Sequence, residues 1–417
     1  MDSYLLDWAN LLLRWLHVIV AIAWIGASFY FVWLDNHLLK PQAEDLKSKG
    51  VDGELWAVHG GGFYNPQKYM VAPANLPQHL HWFYWESYWT WMSGFALFAL
   101  LYLFNADTYL IDKRVFDWSA PAAVAGALGF LVGGWLVYDQ ICRRFGRKAD
   151  GSIGNDGVVL GLIAVAVVAA AWGACQLFAG RAAFLITGAM IATMMSANVF
   201  FWIIPGQKQV IADMRAGRPV DPVHGQRGKQ RSVHNTYFTL PVLIAMLSNH
   251  YGMLYSHAHN WLVLVMLMVA GALVRTWFVK RHKGIDAWPL LVAVVMLLAV
   301  LIAWLAPQPT MVPITMAPPT TTSSATPGPG PGAPATLSDS NEVSFEQVKT
   351  IVNARCLACH NAALAPKRIQ FHEPQMIEQH AADIYQQVVV QKTMPLNNAT
   401  GITDEERAAL GRWFKAR

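Results

Sequence analysis

Eight long apolar runs, separated by loops that are basic on alternate sides, constrain this chain more than any other feature. They are Ala9–Leu34, His81–Phe104, Ser119–Ile141, Gly157–Ala179, Ala182–Pro205, Asn235–Tyr255, Asn260–Val279 and Trp288–Ala306. Each holds about 19 to 26 residues, close to the ~20 that a helix needs to cross a bilayer. In hydrocarbon a spanning backbone must satisfy its own hydrogen bonds, which selects helices for such runs. The composition agrees. Charged residues make up 14% of the 417, against a usual ~25% in soluble domains. A soluble globule would carry more charge, and a disordered chain fewer than the 12% aromatics found here. The sixth run is the weakest, because Pro241, Asn249 and His250 interrupt it. No internal repeat is evident.

Lysine and arginine set the expected orientation. The loop after the first run carries Lys40, Lys47, Lys49 and Lys68, and the loop after the third carries Arg143, Arg144, Arg147 and Lys148. Lys208, Arg215, Arg218, Arg227, Lys229 and Arg231 follow the fifth run, and Lys280, Arg281 and Lys283 the seventh. The opposite face has only Lys113, Arg114 and Arg181. Basic loops stay in the cytoplasm. The expected fold is therefore an all-α, eight-helix transmembrane bundle with both termini outside. The first run lacks a basic leader and a small-residue cleavage site, so it reads as a retained helix. The net charge of +5 is small and unevenly spread, its basic residues lying mostly between the apolar runs, which argues against a nucleic-acid partner. Four cysteines are too few for a disulfide framework. Cys142 and Cys175 stand alone and read as packing residues.

Three parts follow from this pattern. Residues 1–306 form the membrane domain. Residues 307–338 carry no charge and are rich in Pro, Thr, Ser and Gly, which reads as an extended tether. Residues 339–417 are polar and helical in pattern, enough for one small domain. That domain holds Cys356-Leu-Ala-Cys359-His360, the C-x-x-C-H spacing of covalent haem c attachment. Two thiols bind the porphyrin, and His360 is placed under the iron. Met394, in Thr-Met-Pro-Leu, resembles the methionine loop of class I cytochromes c and is the expected second ligand. Met376, His372 and His380 compete for that role. Thr403 and Glu406 have the spacing of a capping box opening a last helix.

Ionisable groups inside a membrane are costly and count as functional candidates. His17 lies in the first run and His250 in the sixth, both toward the outer face. Facing imidazoles of this kind suit a haem b, with His257 and His259 as alternatives. An inner group comprises His37, His59, His79, His81 and His234. His37 and His234 are candidates for a second haem or a metal. Arg14 and Arg275, each near a run's end, either snorkel or pair with a haem propionate.

The segment from Asp35 into the second run is unusually rich in aromatics, glycines and imidazoles. Gly60–Gly62 allow close backbone approach or a simple turn. His59, Gly61, Phe63, Lys68, Asn75 and Trp85 together suit a flat, polar, anionic heterocycle. His81, His79 and Glu86 are candidate proton acceptors, histidine being poised near neutral pH.

At these residues the sequence resembles the membrane-bound, cytochrome c-linked urate oxidases (PuuD-type urate hydroxylases). The resemblance rests on Leu16-His-Val-Ile-Val-Ala-Ile-Ala-Trp-Ile-Gly, His59-Gly-Gly-Gly-Phe-Tyr and His81-Trp-Phe-Tyr-Trp-Glu-Ser-Tyr-Trp-Thr-Trp. It extends over the eight runs, the tether and the C-x-x-C-H. It implies oxidation of urate with water to 5-hydroxyisourate, without peroxide. Electrons would leave through haem to a soluble cytochrome c or a terminal oxidase. It also implies a bacterial inner-membrane protein with its cytochrome in the periplasm. The first run alone is similar to membrane protoporphyrinogen oxidases with an early helical histidine. Rival readings are a quinol:cytochrome c electron-transfer protein, a haem-binding sensor and protoporphyrinogen oxidation.

Overall fold

The structure is a computed structural model that describes residues 2–69, 73, 76–148, 152–306, 343–361, 369–390 and 392–416. The expected tether at 307–338 and the candidate Asn75 lie outside the described residues. The chain divides into two compact units, with the main boundary at Leu301/Ile302.

In the first unit α1 runs Asp2–His37. Its Leu5, Trp15 and Ile22 side chains are exposed; a bilayer, unlike water, accommodates such a surface. A short helix α2 (Glu44–Ser48) follows, with four short strands: β1 (Gly53–Glu54), β2 (Ala57–His59), β3 (Gly62–Tyr64) and β4 (Gln67–Lys68). β1 pairs antiparallel with β4, and β2 with β3. Gly60 and Gly61 have φ of +58° and +82°, the backbone of a two-residue hairpin turn matched to strand twist. This β element departs from the all-α expectation, and turn chemistry is the reason.

α3 (Trp85–Phe98) continues through a π-helical segment, Ala99–Leu103. Then come α4 (Ala106–Tyr109), α5 (Ala120–Phe145), α6 (Asp156–Leu177) and α7 (Gly180–Asn198). A second π-helical segment, Val199–Ile203, joins α7 to α8 (Ile204–Arg215). α9 (Pro222–Ser248), α10 (Gly252–Tyr255), α11 (Asn260–His282) and α12 (Trp288–Leu305) complete the unit. Six of these helical stretches are long and apolar enough to cross a membrane: α1, α5, α6, the α7–α8 stretch, α11 and α12. The other two expected runs are helical as α3 and α9 but fall outside that set. α3 is 14 residues long and rich in Trp, Ser and Thr. α9 carries Arg227, Lys229 and Arg231 in its first half and Pro241 in its second.

Packing places α7 at the centre, against α3, α5, α6 and α9. α9 packs on α11, and α1 on α3. α7 is apolar all round and buried in protein, as a core helix should be. α12 is more apolar still yet largely exposed, a surface suited to lipid. Gly271 marks the crossing of α11 and α9. A Cβ there would lie 3.1–3.2 Å from Leu240 and the Pro241 nitrogen.

The second unit contains α13 (Phe345–Arg355), α14 (Pro374–Gln379), α15 (Ala381–Ile384), which runs on into a π-helical segment (Tyr385–Val390), and α16 (Asp404–Lys415). Both α13 and α16 open with capping boxes, Ser344 with Gln347 and Thr403 with Glu406, each satisfying two orphan backbone donors. α13 packs against α16, and the Phe345 and Trp413 rings lie 5.9 Å apart. Val348, Val352, Ile377, Ile384 and Leu410 fill the core; burial of each contributes roughly 1.5–3 kcal/mol.

Candidate functional site

In the second unit the end of α13 sets the cysteines. The backbone N–H groups of Cys359 and His360 both donate to the Cys356 carbonyl, at 3.2 and 2.9 Å. This turn gathers both sulfurs and the imidazole. Cys356 is buried and Cys359 exposed, and both thiols are free. Burial pushes the Cys356 thiol up to about 12. The His360 Nδ1–H donates to the Ile369 carbonyl at 3.0 Å. A carbonyl only accepts, so the tautomer is fixed and Nε2 keeps its lone pair for a metal. These residues therefore fit a covalently attached haem.

Met394 packs on the same core as Cys356. Buried Arg407 donates to the carbonyls of Val388 and Met394, which ties the methionine segment to α16. The competing histidines face carboxylates: His380 Nδ1 lies 3.0 Å from Asp383, and His372 lies 3.8 Å from Glu373. Met376 sits half-buried in α14.

His17 has partners that its sequence context does not announce. The Ser93 hydroxyl donates to the Trp89 carbonyl at 2.6 Å and lies 3.1 Å from His17 Nδ1. Its single proton is committed, so Nδ1–H donates to Ser93, and Nε2 is left for a metal. Gly94 lies beside the ring: a Cβ there would come 2.8 Å from His17 Cε1. The donor set and this cradle fit a haem ligand at His17. His250 is placed differently from its expected position inside a helix. Ser248 and Asn249 donate side-chain bonds to the Ala245 and Met246 carbonyls. Such local bonds compete with the helix, and α9 ends at Ser248. His250 is exposed in the turn that follows, with Arg14 and Arg181 in electrostatic range. His257 and His259 neighbour each other, their rings 5.8 Å apart.

The inner candidates divide. His37 Nδ1–H donates to the Trp33 carbonyl at 2.7 Å. Its ring lies 5.3 Å from that of His282 on α11, a partner the sequence reading missed. His234 goes elsewhere. Its Nδ1 lies 2.9 Å from the Tyr138 hydroxyl, which also accepts from Asn198 Nδ2 at 2.8 Å. The phenol proton then goes to His234 Nδ1, placing hydrogen on Nε2. That tautomer suits a hydrogen-bond network better than a metal. Asn198 also donates to Asn235, and Arg231 reaches Asp139 at 2.8 Å. Arg143 and the Trp202 indole also reach Asp139, at 2.7 and 2.8 Å. The sequence reading missed this network, which spans α5, the α7 extension and α9.

Around the hairpin the candidates are solvent-facing. Gly61 is required by its positive φ. His59 and Phe63 are exposed on the paired strands, and Lys68 is ion-paired with Asp35 at 2.7 Å. His79 and His81 are exposed; the His81 ring lies 4.7 Å from Phe83. Trp85 is exposed beside Tyr84, and Glu86 is half-buried. Arg275 is buried under Phe29 and donates to the Thr236 carbonyl at 3.2 Å. Among the described residues no group of three or more His, Cys, Asp or Glu gathers to hold a metal ion.

A family model described as urate oxidase N-terminal matches residues 3–306. No curated protein and no solved structure matches the chain.

Proposed function

Since the chain belongs to the urate oxidase N-terminal family, we propose that it is a membrane-bound, cytochrome c-linked urate oxidase. The balanced reaction is urate plus water giving 5-hydroxyisourate, two protons and two electrons. Bound haem would supply one-electron steps toward a soluble cytochrome c or a terminal oxidase. Water supplies the oxygen, so no peroxide forms. The observation that carries this reading is the union on one chain of two parts: a urate oxidase region and a C-x-x-C-H whose histidine has Nε2 set free.

In this reading His360 and Met394 would hold the haem c iron, and Cys356 and Cys359 its porphyrin. His17 and His250 would hold a haem b, with Ser93 fixing the His17 tautomer. At the hairpin end, urate would meet His59, Gly61, Phe63, Lys68, Asn75 and Trp85, and His81, His79 or Glu86 would take a proton. Exposure of both histidines gives that proton a path to water. In this reading both termini and the cytochrome unit face the periplasm of a bacterial inner membrane, and all eight runs cross it.

The test is an anaerobic visible spectrum of the detergent-purified protein before and after urate. Growth of reduced b- and c-type bands with urate is expected. Reduction by dithionite but not by urate would sink the substrate assignment. The second reading, quinol oxidation, draws on one observation. An apolar groove of about 370 Å³ lies between α5, α6 and α7, lined by Gly129, Phe130, Gly133, Ala170 and Met194. Reduction by a short-chain quinol alone would favour it.

A further inference from the structure

One end of the membrane unit gathers two arginines that form no ion pair among the described residues. There α1 brings Arg14, the extension of α3 brings Tyr102, the first turn of α7 brings Arg181, and the turn after α9 brings His250. Tyr102 is 2% exposed, and its hydroxyl has no hydrogen-bond partner among the described residues. Arg181 Nε is also buried and unpartnered. The Tyr109 ring lies 5.6 Å from that of Tyr102 and 5.7 Å from the Arg181 guanidinium, so phenol and guanidinium share a neighbour. Both arginines lie within electrostatic range of the Tyr102 hydroxyl and of His250. Among the described side chains neither arginine forms an ion pair; Arg14 donates to Asn10 at 3.2 Å.

Buried donors without acceptors are costly, and a desolvated guanidinium more so. Native structures keep few of them, and each calls for an explanation. Here the N-terminus of α7 adds its positive dipole end, and Ala179 offers no side-chain cap. The wall is also rigid. A Cβ on Gly180 would fall 2.3 Å from the Tyr255 carbonyl oxygen, so only glycine lets α7 start so close to that backbone.

We propose that Arg14, Tyr102 and Arg181 form a binding site for a delocalised organic oxyanion, a carboxylate or a urate anion. The proposal rests on the preceding reading, which offers two such anions. One is a propionate of a porphyrin held at His17, which lies one turn along α1 from Arg14. The other is urate itself, in which case the substrate sits at this end and not at the hairpin. In both cases the arginines face the charge and Tyr102 donates its proton.

The experiment uses full-length protein in detergent, with Arg181→Gln and Tyr102→Phe. Thermal unfolding is followed with benzoate, a plain planar carboxylate, and urate binding and b-type haem per chain are measured alongside. A tenfold or larger rise in the urate dissociation constant in both variants, with haem unchanged, assigns the site to urate. Loss of b-type haem in both, with urate binding unchanged, assigns it to a propionate. If the wild type neither binds urate nor carries haem b, the functional reading fails. The anion site then still stands if benzoate stabilises the wild type but not Arg181→Gln. No benzoate shift, together with unchanged urate binding and haem content in both variants, overturns the proposal. Tyr102→Phe removes only a hydroxyl and carries the test if Arg181→Gln does not accumulate.

Discussion

At Gly94 a single methyl group decides whether His17 keeps its place. The added Cβ would sit 2.8 Å from the imidazole, and since an alanine Cβ is fixed by the backbone, the His17 ring would have to move. Gly94→Ala is expected to lose the b-type haem bands while c-type bands persist. Gly134→Ala, whose Cβ would meet the flexible Met190 and Met194 side chains, is expected to keep both. Equal haem content in the two variants would remove His17 from the haem site. Cys356 gives a pH test in chain expressed without haem attachment. Its folded pKa, up to about 12, lies above the ordinary thiol value of ~8.5. The folded state therefore holds the proton more tightly. That stability is intact below about pH 8.5 and is lost as pH climbs toward about 12. Denaturant midpoints of the haem-free chain should fall over that window, and haem-attached chain should not follow. At about pH 8, maleimide should label exposed Cys359 ahead of Cys356, read as a single adduct by mass. Cys356 and His360 stand out in the sequence as candidates through their local spacing, and His17 as an ionisable group inside an apolar run. Ser93, Gly94 and His282 do not, because their relevance comes from contacts between helices distant along the chain.

Between elements, the Asp139 network ties α5 to α9 and to the α7 extension. Its carboxylate is buried and fully paired to Arg231, Arg143 and Trp202. Asp139→Asn would leave the buried Arg231 uncompensated and should cost about 3–5 kcal/mol. The pair Asp139→Leu with Arg231→Met removes both charges and should cost less than the single change, since a buried pair can be exchanged for apolar groups at little loss. Thermal unfolding in detergent checks the order; a double variant less stable than Asp139→Asn would mean that the network has some role other than charge balance. Element boundaries show where sequence reading falls short. Alternating apolar runs located every long helix, but the end of α9 before His250 depends on Ser248 and Asn249 turning their side chains onto carbonyls. The glycine-rich segment was ambiguous for a similar reason. Glycine permits both a ligand contact and a turn, and the φ values at Gly60 and Gly61 select the turn.

For the whole molecule the main quantity is distance along the bilayer normal. α1 is continuous from Asp2 to His37, so the 20 residues from His17 to His37 span about 30 Å at ~1.5 Å each. If urate is oxidised beside His81, electrons must travel most of that length, and transfer slows steeply with separation. The His37–His282 pair lies at the near end, with His37 Nδ1 tied to Trp33 and Nε2 free. A second haem b there would close the gap. Under that arrangement, purified protein should contain two b-type haems for each c-type, and His282→Ala should contain one. A native ratio of one b to one c, unchanged by His282→Ala, would leave no relay at the hairpin end. Substrate oxidation would then have to occur near His17, where buried polar atoms of Tyr102 and Arg181 have no partner among the described residues. The haem ratio thus decides between two positions for the same chemistry, and sequence alone could not, because both ends carry histidines at helical spacing.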